Sequence, residues 1–271
     1  MMFILIAAIF ALGACVQTIA GFGSALVVMP MLTQFVGVQT AASVVALVGA
    51  TVTVSVLYQN RQGLQWREAG KLLVGSVIGV PLGALALKVL PPAPVMALLG
   101  IVLLVYGIYA LVTARSNSTP DVAPAPSARL TAALVGFSSG LLGGAYATDG
   151  PPLIIYGSVK RWPKQSFRSI LQACFLVNGF LIIACYGAGG LLTRDVLAYC
   201  AYGIPGMAAG LIIGTLLDRH INHALFHRLL VWLILLLAAA LLARAGMELM
   251  PAQSLAAVFL EPLQSNPAFC A

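Results

Sequence analysis

The sequence predicts an all-α polytopic membrane protein. Two inverted repeats, each a broken-helix hairpin followed by three transmembrane helices, give about ten helical passes. Three observations lead there. Of 271 residues, 61% are hydrophobic and 8% charged, whereas a soluble domain carries about 25% charged residues and needs them to cover its surface. Two apolar runs, one opening each half, are interrupted in the same manner by glycine and proline. The basic residues gather in alternate loops, which is the pattern that orients membrane helices.

The longest polar stretch, "ARSNSTPDVAPAPSAR" from Ala114 to Arg129, is too short for a soluble domain and divides the chain nearly in half. The expected organisation is a first membrane repeat over 1–113, a cytoplasmic linker over 114–129, a second repeat over 130–246 and a short extracytoplasmic tail over 247–271. The net charge of +7 is read as a topology signal, not as a nucleic-acid footprint. The surroundings are lipid bilayer, with no nucleic-acid partner. A homodimer is compatible with this composition.

The first apolar run covers 1–36. Its Leu12-Gly13-Ala14-Cys15 looks like a lipoprotein cleavage box. A signal peptide opens on basic residues, however, and the first Lys or Arg here is Arg61, so a retained helix is expected. "GFGSALVVMP" (21–30) breaks this run, and spans follow at 40–58, 71–88 and 94–113. The second run covers 130–159 and is broken by "TDGPPLIIYG" (148–157), with spans at 167–187, 195–217 and 228–244. "GVPLGALAL" (79–87) has a counterpart 124 positions later in "GIPGMAAGLIIG" (203–214). Internal repeats of this kind are a hallmark of secondary transporters.

A span needs roughly 20 residues, so each long run either crosses once or returns as a hairpin. Charge decides between these. With two hairpins and a cytoplasmic linker, the inner loops hold Arg61, Arg67, Lys71, Arg115, Arg129, Lys160, Arg161, Lys164, Arg168, Arg219 and Arg228. The outer loops then hold only Lys88, Arg194 and Arg244. Single crossings would divide the same residues evenly. The positive-inside rule therefore selects hairpins, five passes per half, inverted halves and both termini outside.

In hydrocarbon an interrupted helix survives only where it faces protein or a water-filled cavity. The breaks at Gly21 and Gly23, and at Gly143, Gly144 and Gly150, therefore mark an internal site. A helix restarting there offers free N–H groups and a positive dipole end, an anion site that needs no basic side chain. Pro151 suits such a first turn. Polar residues inside the spans complete the candidate binding set: Gln17, Ser24, Thr53, Tyr146, Thr148, Gln172 and Asn178, with Gln17 and Ser24 flanking the first break. Thr18 and Thr51 are further polar residues of these spans. An offset of 125 aligns Thr53 with Asn178. The competing reading is that the glycines only let helices pack closely.

Asp149 is the acid deep in a span. It is read either as an N-cap of the restarting helix or as a proton-coupling carboxylate. An ionised cap would occupy the donors that an anion needs, so protonation would free them and link proton to anion.

No metal or cofactor is expected. His220, His223 and His227 share a face but lack a further ligand group, and Cys15, Cys174, Cys185, Cys200 and Cys270 form no C-x-x-C pair, which leaves packing and interfacial roles. The spans hold no nucleophile–base pair and no P-loop, so neither an enzyme nor an ATP-driven pump is expected. A passive anion channel is the alternative reading.

"AGFGSALVVMPML" and "GLLGGAYATDGPPLIIYG" together resemble the paired signature of the sulfite exporter TauE/SafE family. "YQNRQGLQWREAGKLLVGSVIGVPLGALAL" (58–87) also resembles that family's first-half loop and following helix. The resemblance covers nearly the whole chain. It implies transport of a sulfur oxyanion or organosulfonate across the bacterial inner membrane. Many members carry glycine or a small polar residue where this chain has Asp149.

Overall fold

The computed structural model describes residues 2–20, 22–60, 65–115, 128–218 and 223–249. These form ten helices: α1 (Met2–Ala20), α2 (Ser24–Val36), α3 (Val38–Asn60), α4 (Trp66–Val89), α5 (Pro92–Arg115), α6 (Ala128–Tyr146), α7 (Gly150–Val159), α8 (Lys164–Gly189), α9 (Arg194–Asp218) and α10 (His223–Leu249). No strand occurs among the described residues. Both apolar runs break where the glycines predicted. Gly21, Arg61, Arg219, His220, Cys270, residues 116–127 of the linker and residues 250–271 lie outside the described residues.

Both broken runs fold back. A Cβ on Gly13 would meet the Ser24 carbonyl at 3.3 Å, yet eleven residues of straight helix would separate them by about 16 Å. Likewise the Ser139 hydroxyl donates to the Asp149 carbonyl at 2.8 Å, ten residues on. The returning arms are short: α2 has 13 residues and α7 has 10, so they rise about 20 and 15 Å against a core about 30 Å thick. Neither crosses alone. Seven helices (α1, α3, α4, α5, α8, α9 and α10) are long and apolar enough to cross, and the chain is a multi-pass membrane protein.

Glycine rows bind the helices into a bundle. Cβ atoms on Gly75, Gly79 and Gly83 of α4 would collide with the carbonyls of Ala133, Phe137 and Leu141 on α6. Gly206 and Gly210 of α9 likewise lie against the Ala7 and Ala11 carbonyls of α1, and Gly214 lies against Cys15. Such rows let backbones approach closely where lipid supplies no hydrophobic drive between helices. Partner numbers rise together in both interfaces, so each pair runs parallel. In contrast, Gly100 meets Leu242 and Gly107 meets Leu235, so α5 and α10 are antiparallel. The pairings repeat between halves: α4 on α6 corresponds to α9 on α1, and α2 on α3 to α7 on α8.

Arginines satisfy carbonyls where helices of the first hairpin end. Arg168 donates to the Ile19 carbonyl at 3.0 Å. Arg244 donates to the carbonyls of Thr33 and Gln34 at 3.2 and 2.9 Å. Helix C-terminal carbonyls have no intrahelical partner, and cations are favoured beside them.

Candidate functional site

At the first break, Gly23 takes φ 98° as N-cap of α2, a left-handed conformation that glycine adopts without strain. The chain turns there and aims the first turn of α2 inward. At the second break, Ala147 has φ 51°, and three carbonyls closing α6 find partners, two of them local and one on α8. Gly143 accepts from the Ala147 N–H at 2.7 Å, Gly144 from the Tyr186 hydroxyl at 2.8 Å and Tyr146 from the Thr148 hydroxyl at 3.0 Å. Backbone groups at membrane depth require such partners. Ser139, Tyr186 and Arg168 thus build the breaks, although the sequence did not single them out for it.

Both restarting helices face one cavity of about 70 Å³, several times the ~10–15 Å³ that one water requires. Its wall includes Gln17, Gly23, Ser24, Thr53, Thr148, Asp149 and Gly150, together with Gly49, Phe175 and Gly179. Seven sequence candidates therefore meet at one place, from α1, α2, α3 and the second break. Gly49 and Gly179, which the sequence analysis passed over, thin the walls of α3 and α8. Adding a Cβ to either would touch nothing within 4 Å, so they contribute space, not packing.

Tyr146, Gln172 and Asn178 are buried but do not line the cavity. Asn178 has another partner: its Nδ2 donates to Asp149 Oδ2 at 2.8 Å. This corrects the capping expectation. Asp149 stands at the N-cap position of α7, yet its carboxylate makes no bond to the helix N-terminus. The α8 amide outcompetes the local backbone for the carboxylate.

The two N-termini are unequal. α7 opens Gly150-Pro151-Pro152, and proline has no N–H, so this first turn presents a single amide donor. α2 opens Ser24-Ala25-Leu26, with three. The donor-rich wall is therefore α2, while α7 brings its dipole and the carboxylate. Gln17 is 3% exposed, lines the cavity, and its Oε1 has no hydrogen-bond partner among the described residues. A buried polar atom left unmatched costs about 1–3 kcal/mol, and this one accepts, so it is suited to meeting a water or a protonated group in the cavity rather than a bare anion oxygen.

The break glycines and the packing glycines prove to be different residues. Gly144, grouped with the break in the sequence, would place a Cβ on the Val80 carbonyl of α4 and belongs to the packing row. No group of three or more metal-binding side chains occurs among the described residues, and Cys15, Cys174, Cys185 and Cys200 are free thiols.

No solved structure matches the chain. A curated relative from Cupriavidus necator, called "Probable sulfite/organosulfonate exporter TauE", is 29% identical over 217 residues, 76% of this chain and 79% of that protein. The family model described as "Sulfite exporter TauE/SafE" matches residues 5–241, and the chain belongs to that family.

Proposed function

We propose that the protein is a secondary transporter that exports a sulfur oxyanion, sulfite or an organosulfonate, across the bacterial inner membrane together with a proton. The observation that carries this reading is the cavity itself: two helix N-termini and one half-buried carboxylate around a space suited to a compact anion. Membership of the family and the name of the relative supply the substrate class.

The anion sits against the amides of Ser24, Ala25 and Leu26, with Gly150 opposite. Thr53 and Thr148 already spend their hydroxyl protons on backbone carbonyls, so toward the cavity they act only as acceptors. An ionised Asp149 opposes the anion. At about 6 Å and an effective dielectric of ~20, two like charges repel by about 3 kcal/mol, roughly a hundredfold in affinity. Protonation of Asp149 removes that penalty, so proton and anion load together. Asn178 keeps the carboxylate from turning onto the helix end in the unloaded state.

The two halves are inverted, with both termini periplasmic and the linker cytoplasmic. The antiparallel α5 and α10 and the loop charges support this arrangement. Rocking of the halves about the cavity then exposes it to each side in turn. The test is a proteoliposome flux panel with sulfite, sulfate, thiosulfate, taurine and sulfoacetate, with and without a pH gradient. Saturable flux of a sulfur anion that the gradient accelerates is expected. Flux that does not saturate and ignores the gradient would instead identify a passive channel.

A further inference from the structure

Arg168 lies in the second turn of α8, half-buried, and donates to the Ile19 carbonyl at the end of α1 at 3.0 Å. Among the described residues this is its only hydrogen bond, and no carboxylate pairs with it. A guanidinium has five N–H donors in a planar fork, so most of its capacity is unused.

Its place is notable on two counts. Ile19 is two residues beyond Gln17, which lines the cavity. Phe167, next to Arg168, meets Phe22 edge to face with ring centroids 6.0 Å apart, and Phe22 is next to Gly23, which also lines the cavity. This aromatic contact thus lies one residue from Arg168 on α8 and one residue from the cavity wall at the first break.

The surroundings are strongly basic. Lys160 and Arg161 belong to the α7–α8 turn, and Trp162 there packs on Tyr156. Gln65 donates to the Ser166 hydroxyl at 3.4 Å, and α4, which carries Arg67 and Lys71, packs on α8. The acid among the described residues of this group, Glu68, is paired with Lys71. Topology alone accounts for basic loops, but a cation that only marks topology extends toward water. Arg168 turns inward, onto the end of a helix beside the cavity.

We propose that Arg168 forms a second anion site, a vestibule on the α7–α8 side where the sulfur oxyanion docks before passing the Phe22–Phe167 pair into the cavity. The fork binds two oxygens of a sulfite or sulfonate head group, a geometry that guanidinium suits and ammonium does not reproduce. The basic turns raise the local anion concentration, an effect that salt screens. This rests on the reading of the protein as an oxyanion transporter.

The experiment measures initial rates of sulfite uptake into everted membrane vesicles, against sulfite concentration, at low and high ionic strength. Arg168→Gln keeps an N–H for the Ile19 carbonyl but removes the charge. The expected result is a KM raised about tenfold or more, as for loss of charge-assisted hydrogen bonds, with kcat little changed and a weaker response to salt. Arg168→Lys should lie between Arg168→Gln and wild type. A wild-type KM and salt response in Arg168→Gln would overturn the proposal and leave Arg168 as a helix cap. A second readout is independent of transport. In purified protein carrying Trp66→Phe and Trp232→Phe, iodide should quench Trp162 more strongly than neutral acrylamide does, and Arg168→Gln should reduce that excess. An excess unchanged by the substitution would overturn the proposal even if the wild type moved no sulfite, an outcome that would count separately against the transport reading.

Discussion

Asn178 holds Asp149: the amide Nδ2 on α8 donates to the carboxylate Oδ2 at 2.8 Å, across 29 positions of chain. The carboxylate stands at the start of a helix without bonding to it. An anion bound at that helix end would therefore not compete with the carboxylate for the same amides, and what remained between them would be charge.

Removing the holder should restore that competition. In Asn178→Leu the carboxylate is free to cap the adjacent helix end, so substrate must displace it. KM should rise by about tenfold, the worth of one charged hydrogen bond, with the protein still inserted. Initial-rate measurements in proteoliposomes check this. An unchanged KM would mean that Asn178 has no part in keeping the site open.

The shortage of donors on α7 gives a prediction in the opposite direction. Pro151→Ala adds an N–H at the second position of α7 and costs the helix little, because alanine is a strong helix former. If the anion lies between both N-termini, KM should fall by several-fold, since each hydrogen bond contributes about 0.5–1.5 kcal/mol. Identical kinetics would confine the anion to the α2 side.

Two classes of glycine should fail in different ways. Gly79→Leu on α4 drives a side chain into the Phe137 carbonyl of α6, and overpacking costs about 1–3 kcal/mol or more, so folded yield and thermal stability in detergent should drop. At Gly150 a Cβ would meet only Ile154 and Phe175, at 3.4 and 3.8 Å. Gly150→Val should therefore insert normally and lose transport, because the added methyls fill space beside the anion. Transport at the wild-type rate would remove Gly150 from the site.

Much of this was legible in the sequence because membrane packing has few rules. Charge on alternate loops chose hairpins over single crossings, and the structure folds both runs back. Glycine followed by proline inside an apolar run located both breaks. The two roles of glycine were not separable from composition: Gly144 and Gly150 look alike in a string, and only the nearness of Val80 distinguishes them. Of the two readings of Asp149, the cap fails because local preference ignores a competing amide 29 residues away. The missing donors of Pro151 and Pro152 were in plain view in the sequence.

Topology offers a separate check. Single cysteines at Arg67 and Gln165, in an otherwise cysteine-free protein, should both label from the cytoplasmic face. Labelling of position 165 from the periplasm would contradict inverted halves.

The most direct test of the central claim is the pH-gradient dependence of sulfoacetate flux by Asp149→Asn, measured between pH 6 and 8. A sulfonate stays ionised over that range, so a response to the gradient belongs to the protein. In the wild type, acidifying the side from which substrate loads should accelerate flux. Asp149→Asn is neutral, nearly isosteric and still within reach of Asn178. It should bind and move substrate with no response to the gradient. If Asp149→Asn kept the wild-type dependence, the carboxylate would not carry the proton, and the coupling described here would be wrong.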